Sequence, residues 1–477
     1  MKKYIIYSLI ALGASSCSDF LSLQPEYQIN ENSFYKSPKD FETALVGNYA
    51  GLQGLHNTAL IDLGDLTTDN TDIKSTSPLV AEAECDEVNL TASNDFLNTV
   101  WSTSFATIAR SNNILSRLDA VPMTDAQKNQ YKGEALFLRG YAYFYLVRLF
   151  GKVPMVDVSF RSPAEIMNFD MTRRPVAEVY QVIIQDLTQA AALLNGGTGL
   201  SKSQASVGAA KTLLGKVYLT VKEFDLAKTV VKEVIDQKSY ALNPDYKKLF
   251  TNGNDELQES IFEVKYLSGN VGEGNSFSTI FMPSRFDVGM FPGNMQGAGR
   301  VLPTRTMANS YETGDLRRAA SIGDSVKLIS GKYEKDLFGL KFVDFTTGIV
   351  GDGGINFTAL RYADVLLMYA EALNETSNTA EAHTYLNLVR SRAGLPAKTG
   401  LNKAAFTLAL ENERKFEFFL EGHRWFDLAR TGRFQVVMNQ YFKDNGLSFT
   451  VADHEVLMPV PLREIDINPN LGQNPGY

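Results

Sequence analysis

The chain has 477 residues, 44% of them hydrophobic, so it can bury a large core, and its length allows two or three domains. A formal net charge of -8 argues against a nucleic-acid partner and leaves no basic patch for anionic lipid. The four histidines, His56, His383, His423 and His454, show no spacing typical of a metal site.

Lys2 and Lys3 open the chain, an apolar run follows over residues 4–14, and Ala14-Ser15-Ser16 leads to Cys17. The run is too short to span a membrane and reads as a secretory signal over 1–16 that ends at a lipidation site. Ala14 stands where bacterial signals of this kind usually carry leucine. The plainer alternative is a secreted protein with an incidental cysteine. The closeness of the apolar run to Cys17 and the polar residues after it favour lipidation. Two or three acyl chains hold a protein on a membrane where one does not. Residues 17–30 read as an extended tether. With Cys17 lipidated, Cys85 has no disulfide partner, and Glu82, Glu84, Asp86 and Glu87 around it disfavour a thiolate nucleophile.

Helical periodicity begins near Pro38, with Phe41, Leu45 and Tyr49 four residues apart. A polar stretch over 65–78 interrupts it. The period returns at Asp95 with Phe96, Val100, Ile108, Ile114, Leu115 and Leu118. The next helix starts around Asp125 and carries Tyr131, Ala135, Leu138, Ala142 and Tyr145. It should stop at Gly151, with Pro154 preventing resumption. Further amphipathic helices are predicted at 176–194, 207–222 and 225–237. Residues 252–352 are rich in Gly, Phe, Asn and Met and largely aperiodic, apart from a short strand at 259–266. Loops of this length are usually functional or disordered, and the aromatic content favours function. Helices are predicted again at 358–374, 380–393 and 404–420, and a Pro- and Asn-rich segment over 459–477 should lie along the surface.

Leu214, Gly215, Tyr218 and Ala227 match the small-and-aromatic pattern of a tetratricopeptide hairpin, and Ala370, Leu373, Ala382 and Leu386 repeat it. A small residue lets two antiparallel helices approach, and larger ones fill the space beside it. Such stacks usually bind a partner.

These segments stand among a wider set. It includes Ala44-Leu45-Val46-Gly47-Asn48-Tyr49, Trp101 through Asn112-Asn113-Ile114-Leu115, Gly133-Glu134-Ala135-Leu136-Phe137-Leu138-Arg139-Gly140, and Phe150-Gly151-Lys152-Val153-Pro154. It continues with Arg361-Tyr362-Ala363-Asp364-Val365 through Glu371-Ala372-Leu373-Asn374, then Asn387-Leu388-Val389-Arg390-Ser391-Arg392-Ala393-Gly394. Glu421-Gly422-His423-Arg424-Trp425-Phe426-Asp427-Leu428 and Asn468-Pro469-Asn470-Leu471-Gly472-Gln473-Asn474-Pro475-Gly476-Tyr477 complete it. In this order, over nearly the whole length, the chain resembles the SusD/RagB family of outer-membrane nutrient-binding lipoproteins.

The resemblance implies a mainly α fold, a tetratricopeptide-like helical-pair scaffold with an irregular loop-rich region carrying a few short strands. It implies one SusD-like domain over 31–477, with the loop-rich insertion at about 252–352. It also implies a lipid-anchored protein on the outer face of the outer membrane. There it would capture an oligosaccharide, or alternatively a peptide as in RagB-like import, and pass it to a SusC-like TonB-dependent transporter. A general sorting rule would let Asp19 hold a lipoprotein at the inner membrane, but in this family acidic residues there accompany surface export. No enzymatic activity or cofactor is implied.

Glu413, Glu417 and Glu421 fall on one helix face and tempt a glycosidase reading. Ion pairing with Arg414, Lys415, Arg424 and Arg430 is the simpler account. His423 has no Gly-x-Ser-x-Gly partner motif, which leaves it a packing role. Glycan recognition needs aromatic faces with planar polar groups beside them. The expected ligand-binding residues are Asp69, Asn70, Asp72 and Lys74 in one loop and Phe281, Arg285, Phe286, Asp287, Phe291 and Asn294 in another. Trp101 and Trp425 sit in scaffold motifs, so a broad tryptophan platform for a large starch-like helix is not expected.

Overall fold

The computed structural model describes residues 34–75, 77–194 and 201–477; the signal, Cys17 and the tether lie outside the described residues. The scaffold helices are α1 (Pro38–Gly51), α2 (Asp95–Leu115), α3 (Asp125–Phe150), α4 (Val176–Leu193), α5 (Val207–Thr220) and α6 (Phe224–Asp236). They continue as α7 (Tyr362–Glu375), α8 (Thr379–Arg392), α9 (Lys403–Glu417), α10 (Arg424–Arg430) and α11 (Phe434–Asp444). Their ends follow local chemistry. Asn94 caps α2 by accepting from the Phe96 N–H, and Thr124 and Gln127 form a capping box on α3. Gly151, at φ 68°, ends α3 in a conformation that a side chain would strain.

Successive helices pack against one another from α2 to α8. Gly140 of α3 lets Leu187 of α4 come within 3.2 Å of where a Cβ would stand, and Gly215 of α5 does the same for Val231 of α6. Leu214, Ala227, Ala370, Leu373, Ala382 and Leu386 are all buried, and Tyr218 is half-buried. The helical-pair scaffold expected from the sequence is therefore present. One buried hydrophobic cluster runs from Phe41 to Leu471.

The strands are short and pair antiparallel. They are β1 (Thr71–Asp72) with β5 (Leu302–Pro303), β2 (Val153–Pro154) with β3 (Arg173–Arg174), β4 (Ser260–Val264) with β8 (Phe357–Arg361), and β6 (Ile322–Lys327) with β7 (Tyr333–Gly339). The β6–β7 hairpin lies inside the stretch expected to be loop. Residues 59–66 are helical and buried, with a π-turn over Asp62–Leu66, so Asp65 and Leu66 at the start of the expected polar break still belong to the helical part. The helix expected over 404–420 stops at Glu417, because Leu420 adopts φ 62° and Gly422 φ 71°. β8 runs directly into α7, so the loop-rich region is joined to the scaffold at Arg361.

Candidate ligand-binding surface

Glu413 and Glu417 of α9 are buried and fully occupied, and so is Glu421, which lies in the turn after the helix and not on the helix face expected for all three. Arg361 donates to Glu259 (3.0 Å), to Glu421 (2.8 Å) and to Glu417. Arg317 reaches Asp315 (2.8 Å), Glu413 (2.7 Å) and Glu417 (3.0 Å). Arg390 bridges Glu413 and Glu312, Arg392 bridges Glu259 and Glu417, and Lys341 holds Glu421 at 2.7 Å. Ion pairing is the role of these glutamates, but with different partners from those expected. Arg414 turns to Asp364 and Asp427, Lys415 and Arg424 to Asp69, and Arg430 to Glu371 and Asp427. For Lys415 the reason is angular: two residues along a helix are a rotation of about 200°, so Lys415 lies on the face of α9 opposite Glu413 and Glu417. Burial alone would raise the Glu417 carboxyl, yet Arg392, Arg361 and Arg317 hold it well below the usual carboxylate range. It is a poor proton donor for glycoside cleavage.

The expected ligand residues divide sharply. Asp69 is buried and ion-paired to Lys415 (2.6 Å) and Arg424 (2.9 Å). Asn70 is buried too, beside Asp65, and its carbonyl accepts from the Thr304 N–H at 3.1 Å. Both belong to the interior that locks β1 against β5, not to a surface. Asp72 is half-buried, pushed up to about 6 by burial against the opposing pull of Lys74 at 3.6 Å. Lys74 is exposed. Its N–H donates to the Gly299 carbonyl (2.8 Å), and Gly299 lies against both Ser75 and Ser284. The two loops therefore do meet, through a third segment at Gly299.

In the second loop Phe281 is fully buried and stacks on Phe277 at 5.8 Å, so its faces are covered by the core. Arg285 is a strut: it donates to Asp287 (2.9 Å) and crosses to Glu334 of β7 (2.6 Å). Phe286 is 84% exposed. Phe291 is buried, but it stacks at 5.3 Å and 21° on Phe345, which is 37% exposed. The turn over Pro292–Asn294, with Gly293 and Asn294 both at positive φ, packs on Gly348 and leaves Asn294 exposed. Asn252, also exposed, donates to Asp344 (3.0 Å) on one side of Phe345 and to Thr346 (3.5 Å) on the other. Phe345, Thr346 and Asn252 were missed in the sequence; an aromatic residue before Thr346-Thr347-Gly348 was the available signal. The resulting surface has one ring held flat from behind by another, with amide and hydroxyl groups around it. That arrangement suits the apolar face and rim hydroxyls of a sugar ring.

A second concavity of about 1010 Å³ lies between α2, the 153–172 segment and residues 464–471. Its lining is largely apolar, with Phe105, Ile108, Ile166, Met167 and Ile467 among its walls. Among the described residues no cluster of His, Cys, Asp or Glu is arranged to hold a metal ion, and no helix is long and apolar enough to cross a membrane.

The interior carboxylates set a pH profile. Glu312, drawn down to about 2 by Arg390 against burial, contributes stability above the ordinary carboxylate range that is lost as pH falls through its folded value. Asp69, Asp364 and Asp427 behave alike, burial being outweighed by their cationic partners. Asp62 and Asp65 are pushed up to about 7, chiefly by burial. They bind extra protons in the folded state, so their contribution falls as pH rises from about 4 to 7. Thermal melts from pH 3 to 9 should peak near pH 5 and fall on both sides, and Asp65→Asn should flatten the neutral limb. A wild-type midpoint that climbs steadily to pH 8 would contradict this balance.

Two family models match the chain: the SusD family over residues 337–477, and a family described as starch-binding associating with outer membrane over residues 19–219. SusD-like protein P2 of Formosa agariphila is 29% identical across the whole of both chains. This chain belongs to the SusD/RagB family. The starch-binding protein SusD of Bacteroides thetaiotaomicron is 26% identical over 74% of each chain. Among solved structures, a laminarin binding SusD-like protein superposes with a TM-score of 0.79 at 27% identity, covering 93% of this chain and 100% of its own. The mainly helical SusD fold expected from the motifs is thus shown for this chain.

Proposed function

We propose that this SusD-family protein is a lipid-anchored cell-surface lipoprotein that binds oligosaccharide or polysaccharide and delivers it to a TonB-dependent outer-membrane transporter. The observation that carries glycan binding is the Phe291–Phe345 stack with Asn252, Thr346 and Asn294 beside it. Lys74, Arg285 and the exposed Phe286 extend the same loop-rich region, with Asp72 half-buried at its edge. Laminarin- and starch-binding relatives support the ligand class, and the family described as associating with the outer membrane supports the location. The lipid anchor rests on Cys17 in the sequence, and the transporter on the family. The role is capture without cleavage: the glutamates that could have suggested hydrolysis are spent in ion pairs.

The second reading, peptide capture, is favoured by the apolar groove at Met167, whose lining suits an extended peptide with apolar side chains better than a sugar. Calorimetry against a panel of oligosaccharides and a peptide digest separates the two. Phe345→Ala should weaken glycan binding tenfold or more, about 1.4 kcal/mol, since it removes the open face of the stack. Met167→Glu should leave it unchanged. Peptide binding lost in Met167→Glu, with no heat from any glycan, would transfer the assignment to peptide import.

A further inference from the structure

A small cavity of about 30 Å³ lies where α3, α5, α7, α9 and α10 meet. Its walls include Arg148, Lys216, Arg414, His423, Asp427 and Arg430. Three carboxylates serve these groups. Asp364 pairs with Lys216 (2.6 Å) and Arg414 (2.7 Å), Asp427 with Arg414 (2.8 Å) and Arg430 (3.0 Å), and Glu371 with Arg430. The remaining cation is Arg148. It has no ion pair among the described residues, and its bonds go to the Phe144 carbonyl (3.0 Å) and to Tyr145.

The rings of Phe144, Tyr145 and Phe426 stand 3.8, 4.6 and 4.0 Å from the Arg148 guanidinium carbon. They cover its faces, but its N–H groups lie in the guanidinium plane and want acceptors there. His423 adds no charge: burial, together with Lys216 and Arg414, depresses it well below its ordinary value. Four cations thus share three carboxylates around one polar cavity. Arg148 is half-buried, and a charge drawn part-way out of water without a partner is disfavoured.

We propose that this cavity binds one small monovalent anion, chloride under ordinary conditions, held by Arg148 and Lys216. A single negative charge closes the local balance, and the volume is enough for a small ion or a water molecule. Bound there, the anion adds a charge link between α3 and the α5–α7–α9–α10 junction, beside the contact of Arg148 with the Phe426 ring of α10. The site is independent of the ligand surface around Phe345.

Bromide tests it in the full mature chain. Crystals soaked in sodium bromide should give an anomalous peak in the cavity within hydrogen-bonding distance of Arg148 and Lys216. In solution, sodium chloride should raise the melting temperature by about 2 °C or more over sodium gluconate at equal ionic strength, with saturation. Arg148→Met should abolish that difference, while Arg110→Met, at an exposed position, should keep it. A cavity without an anomalous peak overturns the proposal, and so does a chloride effect of equal size in Arg148→Met. If Arg148→Met fails to fold, the wild-type bromide map decides alone.

Discussion

Arg361→Met is expected to cost about 3–5 kcal/mol, enough to leave much of the chain unfolded at 37 °C, since whole proteins are stable by only about 5–15 kcal/mol. Arg361 is buried, donates to Glu259, Glu417 and Glu421, and also reaches the Glu417 carbonyl at 2.8 Å. Its neighbourhood is balanced, with no cation to spare. Arg317, Lys341, Arg361, Arg390, Arg392 and Lys398 face Glu259, Glu312, Asp315, Glu413, Glu417 and Glu421. Removing one cation strands a negative charge in the interior, and methionine fills the volume without answering it. The damage is also placed badly. Arg361 ends β8, pairs in register with Ser260 of β4, and starts α7, so it pins the loop-rich region to the scaffold. Phe345 lies twelve residues before β8 in the same loop-rich region, so glycan binding should fall along with stability. Urea denaturation monitored by circular dichroism measures the first effect. A midpoint within about 1 kcal/mol of wild type would mean that the hub tolerates an unpaired carboxylate and that the charge argument is wrong.

The helical pairs were legible because their code is local. Leu214, Gly215 and Ala227 lie within one hairpin, and both the helix period and the small residue at the crossing appear in a short window. The charge hub was not legible, because its members arrive from distant elements; Arg317 and Glu417 are 100 positions apart. Periodicity predicted three glutamates on a face but carried no record of what that face meets. The ligand surface was legible as composition and illegible as orientation. Phe281, Phe286 and Phe291 share one Gly-rich stretch, yet the first is core, the second is open and the third backs another ring. Asp69 and Lys74 are similarly close in sequence, but β1 pairing with β5 turns one inward and leaves the other outside. The β6–β7 hairpin escaped notice because its strands mix charged residues with glycine, and because much of it faces solvent without a clean alternation. The ordered motifs, by contrast, specified the family where periodicity specified only helices.

Gly64→Val is expected to destabilise the protein by about 3 kcal/mol or more, and Gly47→Ala to do the opposite. At Gly64, inside the Asp62–Leu66 π-turn, an added Cβ would stand 2.7 Å from the Gly422 carbonyl carbon and 2.8 Å from its Cα. Both are backbone atoms, so no rotamer relieves the contact. Overpacking alone costs about 1–3 kcal/mol. Here the displaced turn also carries Glu421 and Arg424, so the Lys341–Glu421 and Arg424–Asp69 pairs would be strained with it. The Gly422 N–H donates to Asp65 at 2.6 Å, and losing that bond would leave a buried carboxylate poorly served. Gly47 in α1 has nothing within 4 Å of its Cβ position, so alanine there should gain about 0.5–1 kcal/mol from helix propensity and reduced chain entropy. Measured side by side by thermal denaturation, the two substitutions should move the midpoint in opposite directions. Equal small shifts would mean that the π-turn and the Gly422 turn are not in backbone contact, and would remove the link between the first ligand loop and the charge hub.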